Sequence, residues 1–312
     1  MAPARRPGLE RGGAGVDLAG RLIFNGLSEG SILLLIAVGL AFTFGLMGVI
    51  NMAHGEFIMV GAYVTYVLQQ TLRGNPSFVL LLGLPLGALV GGGLGWLLEW
   101  ALVRFLYGRP LDTLLATWGV SLLLQQAARS IFGAPNVEVR GPAWLAGTWR
   151  PLDGIALPQA RLFILAVAAL VLLVLYVYLY RSGAGRRARA AMQNREMAGC
   201  LGISTRRLDG QIFAIGSGLA SLAGVVLTLV GPIGPSIGQH YIVDAFMVVV
   251  LGGVGQLGGT VLGAGVFGGA KTTLQFLTSS SIGTVLAFAL IILLLQWRPS
   301  GLAATRGRQL DG

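Results

Sequence analysis

The stretch Gly45-Leu-Met-Gly-Val-Ile-Asn51-Met-Ala-His54-Gly-Glu56 decides how the chain is read. It sets an amide, an imidazole and a carboxylate between two apolar runs, Ser31 to Phe44 before it and Phe57 to Leu68 after it. Ionisable groups at membrane depth are expensive unless they are paired or face water, so they mark a pathway by default. Gly45, Gly48 and Gly55 let the backbone break there. A broken helix survives at that depth only where it is buried in protein or lines a cavity. The competing reading is a short cytoplasmic turn between two helices, and the residues alone leave both open.

Working outward, continuous apolar runs of helical length recur along the 312 residues. Hydrophobic residues make up 54% and charged ones 11%, with a mean hydropathy of +0.77. A soluble domain carries about a quarter charged residues. Transmembrane β-strands would alternate polar and apolar positions, which these runs do not. The fold class is therefore an all-α polytopic membrane protein with about eight transmembrane helices. Candidate spans are 23–46, 53–70, 78–103, 112–132, 161–180, 211–231, 241–278 and 281–297. Broken or half-length segments are expected near 45–56 and near 252–259, where Gly252-Gly-Val-Gly255-Gln-Leu-Gly258-Gly259 interrupts an overlong run. Residues 1–20 are expected to form a disordered tail, 21–302 the membrane domain, and 303–312 a C-terminal tail.

Arginine sets the orientation. Arg181, Arg186, Arg187, Arg189, Arg195, Arg206 and Arg207 place the loop 181–209 in the cytoplasm, with Arg104, Arg109 and the C-terminal Arg298 on the same side. The loop 133–160 then lies outside. The N-terminal arginines also favour the cytoplasm, yet counting spans back from the loop puts them outside, so one crossing in the first 70 residues is left unresolved, with a broken segment near Asn51 as its expected cause. The net charge of +10 is nearly all arginine, Lys271 being the only lysine. No aromatic-interleaved basic groove accompanies it, and nucleic acid is not expected as a partner. Membrane lipid is.

Gly83, Gly87, Gly91 and Gly95 recur every fourth residue, as do Gly216, Ala220 and Gly224. Such faces allow close helix approach in lipid, so these glycines are read as packing positions. Gly265-Val-Phe-Gly-Gly-Ala-Lys271-Thr272 misses a phosphate-binding loop by one glycine and lacks the preceding strand. It is rejected, and Lys271 is expected to snorkel toward an interface. His54 and Glu56, two apart on a helix, make no metal site, and His240 is the only other histidine. No catalytic constellation is present, so an enzyme is not expected.

Candidates for a polar path are Asn51, His54, Glu56, Gln125 and Asp244. Asp244 is read first as a first-turn carboxylate favoured by the helix dipole, with a place along the path as the alternative. Glu99 and Arg104 mark the cytoplasmic end of the third span. Gln193-Asn-Arg-Glu-Met-Ala-Gly-Cys-Leu-Gly-Ile203 reads as a short helix ended by Gly202, with Ser204 or Thr205 capping the next span.

Four stretches together resemble permease subunits of branched-chain amino-acid-type (LIV-I) ABC importers. They are Asn51-Met-Ala-His-Gly-Glu56 followed by Gly61-Ala-Tyr63; Gln193 to Ile203; Asp244-Ala-Phe through Gly255 with Gly259-Thr260; and Arg298-Pro-Ser-Gly-Leu302. The resemblance covers about residues 22 to 302. Phe44 to Glu56, Tyr63-Val-Thr-Tyr-Val67 and Gln193 to Met197 most resemble the urea-importing branch, with branched-chain amino-acid permeases as the alternative. The resemblance implies a multi-pass protein of the bacterial inner membrane that imports urea or short-chain amides for nitrogen uptake. It implies a heterodimer with a second permease, two cytosolic ATPase subunits and a periplasmic solute-binding protein. ATP would be bound and hydrolysed by the partners, with no cofactor on this chain. Gln193, Asn194, Arg195, Glu196, Ala198, Gly199 and Gly202 would form the ATPase-coupling segment.

Overall fold

A computed structural model describes residues 10–72, 74–152, 155–299 and 301–303. Eleven α-helices dominate them: α1 (Glu10–Met47), α2 (His54–Leu72), α3 (Pro76–Ala101), α4 (Pro110–Phe132), α5 (Gln159–Arg181), α6 (Gly183–Gln193), α7 (Arg195–Cys200), α8 (Thr205–Leu227), α9 (Ile237–Gly252), α10 (Leu257–Leu277) and α11 (Ser280–Trp297). Among the described residues, five helical segments are long and apolar enough to cross a membrane by length and composition: Leu22–Met47, Pro76–Phe105, Gln159–Arg181, Thr205–Leu227 and Ser280–Trp297. The protein is an all-α polytopic membrane protein. A small antiparallel hairpin, β1 (Thr148–Leu152) with β2 (Ile155–Pro158), lies in the connection between α4 and α5.

Local chemistry places the helix ends. Asn75 caps α3 by accepting from the Ser77 amide at 2.9 Å, with Pro76 at the first helical position. Asn194 caps α7 in the same way, accepting from Met197 N at 2.9 Å. Ser204 occupies the position before α8 without a side-chain cap bond. Gly48 (φ +64°) and Gly253 (φ +99°) take left-handed conformations where α1 and α9 stop. The run 241–278 divides into α9 and α10 at the glycine cluster, although α10, at 21 residues, is a full-length helix.

The N-terminal expectation needs correction. α1 already begins at Glu10, inside the stretch read as a disordered tail. No proline interrupts the chain between Pro7 and Pro76. Once the apolar span nucleates, each further residue adds one hydrogen bond to an existing helix. The tail residues 1–9 and 304–312 lie outside the described residues.

The crossing left unresolved in the first 70 residues is decided by contacts between helices. Arg161 Nη1 donates to Asn25 Oδ1 at 2.7 Å, so the apolar span Leu22–Met47 of α1 and helix α5 start on one face. α5 ends at Arg181, at the opposite, arginine-rich face. Residues 48–53 turn back into the protein from the end of α1 without adding a crossing, and the start of α2 lies beside Ile36 and Gly39 of α1. The C-terminal segment returns to the arginine-rich face, where Leu302 N donates to Leu251 O at 2.8 Å beside the α9–α10 break.

α8 lies at the centre of the fold, against α1, α2 and α3. The glycine stripe of α3 is buried against it. A Cβ at Gly87 would lie 2.6 Å from Val225 Cγ2, and one at Gly91 or Gly95 would collide with Ser221 or Ser217. Gly83 meets Val225 and Thr65 of α2. The main core joins Leu33, Leu35, Ile36 and Leu40 of α1 to Phe213 of α8 and Val248 and Leu251 of α9.

Candidate functional site

Three buried or half-buried polar assemblies stand out against this apolar scaffold. The first is the junction between α1 and α2. Asn51 Oδ1 accepts from Ala53 N at 3.0 Å and its carbonyl accepts from His54 N at 3.3 Å, so Asn51 starts α2. Met52 N donates to Thr117 Oγ1 of α4 at 3.1 Å. His54 Nε2 lies 3.1 Å from Ile36 O; a carbonyl only accepts, so this nitrogen carries the proton. Glu56 Oε1 accepts from Ser121 Oγ at 2.9 Å and Gln125 Nε2 at 2.8 Å, both on α4. Asn51, His54, Glu56 and Gln125 are all enclosed, the most open of them 3% exposed. Asn51 Nδ2, His54 Nδ1 and Glu56 Oε2 have no hydrogen-bond partner among the described residues.

Four of the five expected path residues thus gather at one place. In this conformation they bind α2 to α1 and α4 rather than facing an opening.

Asp244, the fifth, stands elsewhere, and two expectations about its region are corrected. It is the eighth residue of α9, not in its first turn, because α9 begins at Ile237. Lys271 does not snorkel. Its Nζ is 2.6 Å from Asp244 Oδ2 and 3.3 Å from Glu29 Oε1, with the lysine side chain 11% exposed. A buried lysine held by two carboxylates avoids the cost of an unpaired charge in an apolar surround. Glu29 was not singled out from the sequence. An acidic residue in an otherwise apolar span of a chain with one lysine was the available signal.

The third assembly lies at the arginine-rich face. Ala198 packs the short helix α7 onto the body of the protein, while Gln193, Asn194, Arg195, Glu196, Gly199 and Gly202 are exposed. Met197 and Leu201 are also exposed, at 58% and 75%. Ile203 N donates back to Ala198 O at 3.1 Å, closing the helix end around Gly202 (φ +80°). Arg195 Nη1 donates to Asp209 Oδ1 at 3.0 Å, and its Nη2 pairs with Asp209 Oδ2. The guanidinium sits 5.2 Å from the Tyr107 ring centroid. Tyr107 Oη in turn donates to Glu99 Oε1 at 2.9 Å. Burial first, then the Asp209 and Glu99 carboxylates, hold the Tyr107 phenol above its usual range, so it stays a donor. The hydrogen bond that Arg195 donates to Asp209 raises the guanidinium further above its already high value. Sequence reading picked out Arg195 and Glu99 separately. It missed Asp209 and Tyr107, because neither spacing nor composition ties residues so far apart to one cluster.

At the end of α6 is a cavity of about 490 Å³ lined by Phe42, Leu46, Arg189, Met192, Gln193 and Gly255. It joins the end of α1, the basic helix α6 and the α9–α10 break at one face.

These features suit a machine driven from its basic face, with a helix-break core and a short exposed helix. The family model described as "Branched-chain amino acid transport system / permease component" matches residues 22–295. The chain belongs to that family. It is 31% identical over 290 residues to the high-affinity branched-chain amino acid transport system permease protein BraD of Pseudomonas aeruginosa, covering 90% of this chain and 94% of that protein. It is 32% identical to the corresponding LivH proteins of Salmonella typhimurium, over 290 residues, and Escherichia coli K12, over 292, with the same shares covered. No solved structure matches the chain. This permease is therefore the transport subunit of an ABC importer, a multi-pass inner-membrane protein that works with ATPase subunits and a solute-binding protein.

Proposed function

We propose that this permease passes branched-chain amino acids inward, driven by ATP hydrolysis on cytosolic partners that press on α7. The observation that carries the coupling reading is α7 itself. It is a capped helix at the arginine-rich face, anchored by buried Ala198 and presenting exposed Met197 and Leu201. Apolar side chains exposed on a short helix suit a groove on a partner protein. The cargo reading rests on the relatives at 31–32% identity, whose names specify branched-chain amino acids. They favour that cargo over the urea and short-chain amides suggested by the 44–56, 63–67 and 193–197 stretches.

A second, paralogous permease completes the membrane unit in this proposal, and the solute-binding protein delivers the cargo on the face opposite α7. Asn51, His54, Glu56 and Gln125 hold the hinge of the path: when α1, α2 and α4 separate, their free valences meet the solute. The protein itself carries no ATPase chemistry.

The test is uptake by the assembled complex in proteoliposomes, with labelled leucine and labelled urea measured in parallel. ATP-dependent leucine uptake without urea uptake is the expected result. Urea uptake alone moves the cargo to the urea branch. Equilibration of either solute without ATP removes the importer reading. For the dock, Met197→Asp with Leu201→Asp is expected to abolish co-purification of the ATPase subunits while the permease remains folded. Retained co-purification would place the dock elsewhere.

A further inference from the structure

We propose that Arg195, Asp209, Tyr107 and Glu99 form one strut that transmits the displacement of α7 to α3 and α8, and that Arg195 is its positioning residue. This rests on the proposed role of α7 as the ATPase dock and adds how its motion reaches the membrane.

The contacts of α7 with the rest of the protein are few. Beyond Ala198 and the turn into Ser204, its polar tie is the Arg195 fork. Asp209 is 3% exposed on its side chain and lies in the second turn of α8, the helix at the centre of the fold. A guanidinium that meets a carboxylate with two parallel N–H donors fixes direction as well as distance, which a single ammonium cannot do. The other face of the same guanidinium rests on Tyr107, and Tyr107 Oη reaches Glu99 near the end of α3. Glu99 is 4% exposed and packs against Gly210, the residue after Asp209: a Cβ there would lie 3.2 Å from Glu99 Oε2. The chain of contacts therefore closes on itself. It runs from α7 through Arg195 to α8, and from Arg195 through Tyr107 and Glu99 back to α8 by way of α3.

Two properties make this a strut rather than a surface ion pair. Its two carboxylates are buried, so rupture leaves a negative charge without a partner, at a cost far above that of an exposed pair. It also ends on α3 and α8, which lie against each other along the glycine stripe. A push on α7 then moves two packed spans as a unit. Arg104 and Arg206 also lie near Glu99, but neither makes a side-chain hydrogen bond to it among the described residues. Arg104 is turned onto the rings of Trp100 and Phe105, at 5.0 and 4.5 Å.

Lysine at 195 would keep the charge and lose the fork and the flat contact with Tyr107. Phenylalanine at 107 would keep the ring and lose only the bond to Glu99. The experiment measures ATP hydrolysed per solute imported by the full complex in proteoliposomes, using whichever cargo the wild-type complex imports. Arg195→Lys is expected to raise that ratio at least five-fold, and Tyr107→Phe to raise it two- to three-fold. If both ratios stay within experimental error of wild type, the strut is overturned. It is equally overturned if uptake and hydrolysis fall in proportion with loss of ATPase subunits on purification, since Arg195 then serves only folding or docking. A wild-type complex with no ATP-dependent uptake would instead remove the proposed function, before the ratio is read.

Discussion

At the scale of single residues, the one lysine of the chain is paired rather than left bare. Lys271 is held between Asp244 and Glu29, each from a different helix, so one side chain ties α10 to α9 and α1. Removing it strands the buried Asp244 carboxylate and leaves the half-buried Glu29 unpaired. Lys271→Met is expected to destabilise the permease by about 3–5 kcal/mol. Adding Asp244→Asn to that variant is expected to recover about half or more of the loss, because it removes the stranded charge. Thermal unfolding of the detergent-solubilised protein reads both, and a double variant no better than Lys271→Met would show that the pair does not couple. Gln125→Leu strips one of two donors from Glu56 Oε1 and is expected to cost about 1–3 kcal/mol by the same measurement. The sequence made Asn51, His54 and Glu56 conspicuous because polar groups stand out in an apolar run. It could not show that Ser121 and Thr117 complete them. A hydroxyl in an apolar helix bonds its own backbone so readily that it signals nothing by its presence.

At the scale of elements, glycine sets how closely the helices approach. The fourfold repeat of Gly83 to Gly95 was legible because its period matches one face of a helix. The crossing of α2 with α8 was not, since Gly61 has no glycine four residues to either side in its helix and its partner is the Ser221 backbone, 160 residues away. A Cβ at Gly61 would collide with the Ser221 carbonyl, and backbone cannot rotate aside as a side chain does. Gly61→Ala is therefore expected to cost more than 2 kcal/mol, on the order of other overpacked cores. Gly93 provides the control. No atom lies within 4 Å of a Cβ placed there, on the same α3 that carries the stripe. Gly93→Ala is expected to be neutral or to stabilise by up to about 1 kcal/mol through helix propensity. Yield and melting temperature of the two variants decide the matter. Equal losses would mean that the helices are spaced differently from this arrangement.

At the scale of the whole molecule, the orientation follows from one hydrogen bond and one charge bias. The Arg161–Asn25 bond fixes the start of the apolar span Leu22–Met47 to the face opposite the loop 181–209, and the density of arginine assigns that loop to the cytoplasm. The sequence alone stalled here because its N-terminal arginines argued for the other side, and charge counting has no means of ranking two conflicting clusters. Tertiary contact ranks them. Cys200, exposed on α7 and the only cysteine in the chain, turns this into a measurement. A membrane-impermeant maleimide is expected to label it in inverted vesicles stripped of peripheral subunits and to leave it unlabelled in right-side-out vesicles. Adding back the ATPase subunits is expected to slow the labelling at least ten-fold, because α7 is then covered. Labelling from the outside would invert the orientation and move the dock to the wrong side of the membrane. Inside labelling that the ATPase subunits leave unchanged would keep the topology and remove α7 from the interface.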